Sequence, residues 1–259
     1  MCLILFSYKA HPVYPLILAA NRDEFYERPT AQASFREEKP DMLAGKDLKE
    51  GGTWLGITKA GRVAAITNFR EPQNLKGGVS SRGGLVSEFL CGSENPGEYI
   101  HSIRQISDRY NGFNLIMGDR SGLFYFSNAG DLFREISPGI HGLSNHLLNT
   151  PWPKVERGRK LLGRLISKTE NPPPEEIFNI LADTSRPDDR HLPDTKIGLE
   201  WERLLSSIFT QSEVYGTRSS TIIFVDRENN VTFIERSFTA GLGEYKPVKF
   251  RFRMNPGLF

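Results

Sequence analysis

The sequence is poor in cysteine, since its 259 residues contain only Cys2 and Cys91. Two distant cysteines cannot build the disulfide framework of a small secreted domain, and they are typical of a protein in a reducing compartment. We therefore expect a cytoplasmic location. The five histidines show no ligand spacing on a common helix, and the two cysteines are too far apart in sequence to indicate a zinc site, so no metal centre is predicted.

Long apolar runs and an excess of one charge are also missing. No apolar run approaches the roughly 18 to 20 residues that a membrane-spanning helix requires. The chain has no basic region before its first apolar stretch, so we do not interpret that stretch as a signal peptide. The 33 basic and 31 acidic residues leave a formal charge of +2, which is too balanced for recognition of nucleic acid by a bulk field. We expect no nucleic-acid partner and no membrane span.

The residues that are present suffice for a sizeable core. Hydrophobic residues make up 38% of the chain, which includes 17 Phe and 8 Tyr. Length alone allows one large domain or two small ones. Because no linker and no internal repeat are evident, we expect a single domain over residues 1–259.

Two short apolar runs near the chain start, residues 2–6 and 16–20, predict strands that are buried on both faces. The second run leads directly into Asn21, Arg22, Asp23 and Glu24. If the two strands pair as a hairpin, this polar quartet lies beside Cys2.

Cys2 is a candidate nucleophile. A thiol reacts as the thiolate, and its ordinary pKa of about 8.5 means that it needs a base or a positive neighbour. Removal of Met1 would give Cys2 a free α-amine with a pKa of about 7.7 to 8, which can serve as that base. The alternative is that Cys2 is a small hydrophobic residue in a buried strand.

The rest of the chain mixes helices and strands without βαβ repetition. Helical spacing of apolar residues predicts helices over residues 85–90, 99–106, 154–168 and 175–182. Predicted strands cover residues 54–58, 62–68, 113–117, 123–126, 140–144, 219–225, 231–235 and 248–254. The three strands between residues 113 and 144 are predicted to form a meander. Residues 27–50 are polar and predict an extended surface segment, and residues 183–198 predict a charged loop. Together these elements favour an α+β sandwich over a doubly wound sheet.

Motifs spread over nearly the whole chain carry a family resemblance. They are MC at 1–2, NRDEF at 21–25, GGTWLG at 51–56, TN at 67–68, YNGFNL at 110–115, GLSN at 142–145, TPW at 150–152, YGTR at 215–218 and TFIER at 232–236. In these motifs the sequence resembles the NRDE family, also called the transport and Golgi organisation family. That family is in turn similar to N-terminal nucleophile hydrolases, which fold as a four-layer αββα sandwich and cleave amide bonds.

The resemblance to cysteine-type members of that hydrolase group also implies roles for individual residues. Cys2 would be the nucleophile, Asp23 would bind and orient its amine, and Asn68 would stabilise the oxyanion. Asn145 and Arg218 would complete the catalytic set, with Arg218 favouring the thiolate. The residues expected to line the binding site are Asn21, Arg22, Glu24 and Trp54.

The sequence departs from the hydrolase pattern at one point. The hydrolases have an arginine three residues before the aspartate, whereas this chain has Ala20 there and Arg22 directly before Asp23. Neighbouring strand residues face opposite sides, so Arg22 and Asp23 are not expected to point at Cys2 together unless the strand has ended or bulged.

Each candidate also has a structural interpretation. The charged quartet could be a solvated cluster or a structural ion pair, and Asn68 and Asn145 could satisfy turn backbones. Arg218 could be a surface charge. Cys91 is most simply a core thiol on an amphipathic helix.

The family resemblance implies two functions, and both remain open at this point. The first is an amidohydrolase that attacks a non-peptide carbon–nitrogen bond of a small amide and needs no cofactor. The second is a carrier that uses the same pocket for haem or acyl-coenzyme A. Since no covalent haem-attachment motif is present, any haem would bind non-covalently, with His141 and His146 as the candidate ligands.

Overall fold

The computed structural model describes residues 2–239, 246–255 and 257–258. Neighbouring strands pair antiparallel in two sheets. The six-stranded sheet has the order β10-β1-β2-β11-β12-β13, with β1 at Cys2–Tyr8, β2 at Leu16–Phe25, β10 at Gly139–Leu143, β11 at Tyr215–Val225, β12 at Asn230–Ser237 and β13 at Val248–Arg253. The seven-stranded sheet runs β3 to β9 in order, with β3 at Thr30–Arg36, β4 at Lys39–Asp47, β5 at Leu55–Thr58, β6 at Val63–Asn68, β7 at Phe113–Asp119, β8 at Gly122–Ser127 and β9 at Leu132–Glu135.

Helices cover the outer face of each sheet. The α-helices are α1 at Gly83–Cys91, α2 at Pro96–Arg104, α3 at Pro153–Ile166, α4 at Pro174–Leu181 and α5 at Leu199–Leu204, and the first four of them pack on the sheets. α1 and α2 pack on the seven-stranded sheet, and α3 and α4 pack on the six-stranded sheet. None of the helices in the described residues is long and apolar enough to cross a membrane.

Three apolar clusters separate the layers. One cluster lies between the two sheets, a second between the six-stranded sheet and α3 and α4, and a third between the seven-stranded sheet and α1 and α2. Each sheet therefore buries both faces, which requires the order helix, sheet, sheet, helix. This arrangement confirms the predicted α+β fold with four αββα layers.

The packing of the N-terminal hairpin on both faces explains why its sequence is apolar without interruption. Leu3 and Leu5 belong to the cluster beneath α3 and α4, whereas Ile4 and Phe6 belong to the cluster between the sheets. Because successive strand residues point to opposite faces, a strand with two covered faces needs apolar residues at every position. The prediction of two doubly buried strands is confirmed.

The prediction of an extended surface segment over residues 27–50 is wrong. This stretch forms β3 and β4, in which Ala33, Leu43 and Ala44 are buried. The pairing of β3 with β4 shifts register twice, and β3 is an edge strand, so much of its surface stays partly exposed and polar. Because of these irregularities, the sequence does not show the two-residue alternation of apolar and polar residues that indicates a strand.

Two further predictions need correction. The strand predicted at residues 140–144 does not continue the meander, because β10 leaves that sheet and pairs with β1 in the other one. Cys91 is not a core thiol, since it is exposed at the last position of α1. β9 and α5 had no sequence prediction; both are short, at four and six residues.

Candidate active site

Cys2 lies at the start of β1, directly opposite Arg22 of β2. Their neighbours Ile4 and Ala20 belong to the cluster between the sheets, so strand alternation places Cys2 and Arg22 on that same face. The Arg22 guanidinium stacks over the Trp54 ring at 4.4 Å from its centroid. Arg22 therefore stands beside the thiol with its position fixed by an aromatic side chain.

Asp23 points to the other face of the six-stranded sheet. Its Oδ1 accepts a hydrogen bond of 2.7 Å from Thr217 Oγ1, and its main-chain oxygen accepts one of 3.0 Å from the Tyr215 hydroxyl. Burial raises the pKa of the Asp23 carboxyl, while the nearby Lys154 ammonium and the Thr217 hydroxyl oppose that rise. These contacts place the Asp23 carboxyl and the Arg22 guanidinium on opposite faces of the strand end, although both residues belong to the wall of the cavity in front of Cys2.

The environment of the Cys2 thiol works mainly against ionisation. Burial raises the thiol pKa, and the Asp23 carboxylate adds to the rise. Arg22 and a hydrogen bond from the Asp23 main-chain N–H lower it in part. Since the net shift is upward, a nucleophilic role requires a base that removes the thiol proton.

A cavity of about 250 Å³ opens in front of Cys2. Six of the residues singled out in the sequence line it: Cys2, Arg22, Asp23, Glu24, Trp54 and Asn68. The other charged residues of its wall are Arg28, Asp47, Glu50 and Arg82. Arg28 and Asp47 form an ion pair of 2.6 Å, and Glu24 lies 3.8 Å from Arg22. The cavity is therefore strongly polar and suits a small ligand with polar groups.

Asn145 lies behind the cavity and is fully buried. Its Nδ2 donates a hydrogen bond of 2.9 Å to the main-chain oxygen of Asn68, and the Ser144 hydroxyl donates to the Cys2 carbonyl at 3.1 Å. The 144–145 pair thus connects the end of β6 with the start of β1. Asn145 therefore holds the main chain of Asn68 in place, while Asn145 itself is not part of the cavity wall.

Arg218 and Asn21 also lie outside the cavity wall. Arg218 is the extra residue of a bulge in β11, and its Nη1 lies 3.0 Å from the main-chain oxygens of Phe25, Tyr26 and Arg28. Asn21 Nδ2 donates to the main-chain oxygens of Leu181 and Ile208. Both side chains therefore bind main-chain oxygens of neighbouring segments outside the cavity wall.

Lys154 is the main feature of the site that the sequence did not reveal. It is 3% exposed, and its Nζ has no hydrogen-bond partner among the described residues. Burial lowers its pKa to about 8, although Asp23 and Cys2 both favour the charged form. A lysine in the first turn of an amphipathic helix ordinarily indicates a solvated side chain, so only tertiary packing reveals its burial.

Two arginines at the site also carried no signal in the sequence. Arg82 lines the cavity, where burial lowers its pKa and the Cys2 and Glu24 charges oppose that change. Arg70 forms a buried ion pair of 2.8 Å with Glu202. Its partner lies 132 positions further along the chain, a separation from which no local pattern could predict the pair.

The two histidines considered for haem lie outside the wall of the Cys2 cavity. Both ring nitrogens of His141 are engaged, Nε2 with the Ser137 carbonyl at 2.8 Å and Nδ1 with Asn149 at 3.0 Å. His146 Nδ1 lies 2.9 Å from the Thr150 hydroxyl, and neither histidine lines the Cys2 cavity. In the part of the chain that the structure describes, no group of three or more His, Cys, Asp or Glu could hold a metal ion.

Solved structures with low sequence identity resemble the chain. One is a Caenorhabditis elegans N-acylethanolamine-hydrolyzing acid amidase ortholog, with 9% identity, a TM-score of 0.41, and coverage of 86% of this chain and 92% of the other. Another is a variant of conjugated bile acid hydrolase from Clostridium perfringens, with 8% identity, a TM-score of 0.48, and coverage of 98% and 97%.

Sequence relatives cover nearly all of the chain. The transport and Golgi organization protein 2 homolog of Bos taurus is 40% identical, and that of Homo sapiens is 39% identical; each alignment covers 92% of this chain and 93% of the relative. The protein of the same name from Drosophila melanogaster is 28% identical. The family model described as Transport and Golgi organisation 2 matches residues 1–240. The chain therefore belongs to the transport and Golgi organisation 2 family.

Proposed function

We propose that the protein is a cysteine amidohydrolase that cleaves a non-peptide carbon–nitrogen bond with Cys2 as nucleophile. The observation that carries this proposal is the convergence of the Cys2 thiol, the Arg22 guanidinium and Asn68 on one small polar cavity. An arginine fixed against Trp54 and beside a thiol favours the thiolate. A simple binding site has no need for this combination at a strand end.

The reaction requires Met1 to be absent, and Met1 itself lies outside the described residues. The α-amine of Cys2 then takes the thiol proton, and the sulfur attacks the carbonyl carbon of the amide. The carbon–nitrogen bond breaks, the amine leaves with that proton, and a thioester forms on Cys2. A water molecule hydrolyses the thioester, which releases the acid and restores the thiol.

Asn68 is the proposed donor to the oxyanion that develops during attack. Asn145 holds the Asn68 main chain in place through its main-chain oxygen. This bond restrains the residue and leaves the Asn68 side-chain amide available to the oxyanion. Donors that are already oriented toward developing charge stabilise acyl-transfer transition states by about 3 to 4 kcal/mol each. Asp23 holds the α-amine, and its Coulombic contact with Lys154 favours the charged carboxylate that this task requires.

The test is turnover of a panel of N-acyl amides by the mature protein, compared with Cys2→Ala and Cys91→Ser. We expect hydrolysis of at least one class of amide, its loss in Cys2→Ala, and its retention in Cys91→Ser, because Cys91 lies on α1 away from the cavity wall. Saturable binding of haem or acyl-coenzyme A that survives Cys2→Ala, with no amide turned over, would replace the enzyme by a carrier.

A further inference from the structure

A second and larger cavity lies on the helix side of the six-stranded sheet. It measures about 920 Å³, runs between α3 and residues 185–191, and shares no lining residue with the Cys2 cavity. Sites for small organic ligands usually enclose about 300 to 1,000 Å³. We call this cavity the basic groove; its size suits a small molecule.

The lining of the groove is strongly positive. Its basic residues are Lys154, Arg157, Arg159, Lys160, Arg186 and His191. Glu156 is the acidic residue among them. The floor is apolar and includes Ile140, Pro151 and Ile208. A ligand that suits both parts carries an anionic group and an apolar body.

Among the described residues, the aspartates of the adjoining loop neutralise one basic residue of the groove, Arg157, and otherwise pair with arginines outside its lining. Three aspartates are each paired with an arginine: Asp183 with Arg157, Asp188 with Arg190, and Asp189 with Arg203. Lys160 and Arg186 are exposed, and neither forms an ion pair with a described residue. Two cations on the groove are therefore available to an anion.

Lys154 supplies an independent observation. It lies in the groove wall, it is almost fully buried, and its Nζ has no hydrogen-bond partner among the described residues. A buried ammonium without such a partner is costly, and an anion bound nearby lowers that cost. The groove thus combines accessible cations at its rim with a desolvated cation in its wall.

We propose that the basic groove binds a small phosphomonoester, with the phosphate held by Lys160 and Arg186 and the apolar part over the Ile and Pro floor. The planar guanidinium of Arg186 matches the paired oxygens of a phosphate, and several cations suit a dianion better than a single carboxylate. The groove shares no lining residue with the Cys2 cavity, and this proposal does not rest on the proposed hydrolysis.

The experiment is isothermal titration of the full chain with phenyl phosphate, with inorganic phosphate and phenol as partial probes. We expect saturable binding of phenyl phosphate that weakens with added salt. The double variant Lys160→Ala/Arg186→Ala should raise Kd by about tenfold or more, because charge-assisted hydrogen bonds are lost. Cys2→Ala should leave Kd unchanged, which separates this site from the proposed active site.

The matched control is Arg120→Ala/Lys249→Ala, which removes two exposed charges outside the groove. Its net charge equals that of the Lys160→Ala/Arg186→Ala variant. Equal Kd values in the two double variants, or no saturable binding by the wild type, would overturn the proposal. A second arm measures sedimentation with phosphatidic acid vesicles and with phosphatidylcholine vesicles. Binding only to the phosphatidic acid vesicles, and not to phenyl phosphate, would overturn the small-molecule site in favour of a lipid headgroup.

Discussion

The Nδ2 of Asn145 lies 2.9 Å from the main-chain oxygen of Asn68, and this bond joins the loop after β10 to the end of β6. β10 belongs to the six-stranded sheet and β6 to the seven-stranded sheet, so the bond crosses between the sheets beside Cys2. Since Asn145 is fully buried and Asn68 is half-buried, the contact contributes to stability as well as to the shape of the cavity.

Replacement of Asn145 tests this contact. Asn145→Ala leaves the Asn68 oxygen without its donor, so we expect the free energy of unfolding to fall by about 1 to 3 kcal/mol. Urea denaturation measures the change. Asn74→Ala is the matched control because Asn74 is exposed. Equal stabilities of the two variants would show that the contact across the sheets contributes nothing measurable.

Because Glu235 is buried, its titration should lower the stability of the fold between weakly acidic and neutral pH. Burial raises the pKa of its carboxyl to about 7, against an ordinary value of 4.5. Between these pH values the folded chain keeps the proton that the unfolded chain has lost, so stability falls as pH rises, by about 3 kcal/mol in total. Glu235→Gln cannot titrate and should flatten this slope in pH-dependent urea titrations. The exposed Glu37→Gln should keep it; an unchanged slope in Glu235→Gln would contradict the assignment.

Lys154 predicts the opposite slope at alkaline pH. Its pKa of about 8 in the folded chain lies below the ordinary 10.5. In this interval the unfolded chain holds a proton that the folded chain has lost, so stability rises with pH, again by about 3 kcal/mol. Lys154→Met should remove the rise, whereas Lys160→Met, on the exposed face of the same helix, should retain it. Identical alkaline slopes in the two variants would exclude a buried, titrating Lys154.

Position 52, beside the cavity, has no room for a side chain larger than that of glycine. A Cβ added there would lie 2.4 Å from the main-chain carbon of Gly83, at the start of α1. Because backbone cannot yield as a flexible side chain can, Gly52→Ala should destabilise the fold by about 1 to 3 kcal/mol. In Gly84→Ala the nearest atom is a Glu88 side-chain oxygen at 3.6 Å, so this helical substitution should be tolerated. Thermal denaturation compares the two, and equal melting temperatures would refute the close approach.

The sequence predicts those parts of the fold that depend on local pattern. The doubly buried β1 and β2 follow from unbroken apolar runs, and α3 follows from its amphipathic spacing. β3 and β4 could not be predicted in this way, because register shifts and an exposed edge break the two-residue period.

The candidate site is only partly visible in the sequence for a similar reason. Cys2 and Arg22 become neighbours through a short hairpin, which local pattern predicts. Lys154 approaches Asp23 from another layer of the sandwich, so its burial depends on tertiary packing that no local pattern records. The removal of Met1, the catalytic roles of Cys2, Asp23, Asn68, Asn145 and Arg218, and the binding roles of Asn21, Arg22, Glu24 and Trp54 stay predictions.

The most direct test of Cys2 as a nucleophile is intact-protein mass spectrometry after brief exposure to an acylating nitrophenyl ester. The wild type, Cys2→Ala and Cys91→Ser are compared. An activated N-terminal nucleophile predicts a mature chain without Met1 and one rapid acyl adduct, which is absent from Cys2→Ala and retained in Cys91→Ser. Retention of Met1, or an adduct on Cys2 that forms no faster than one on the exposed Cys91, would contradict the assignment of Cys2 as an activated nucleophile.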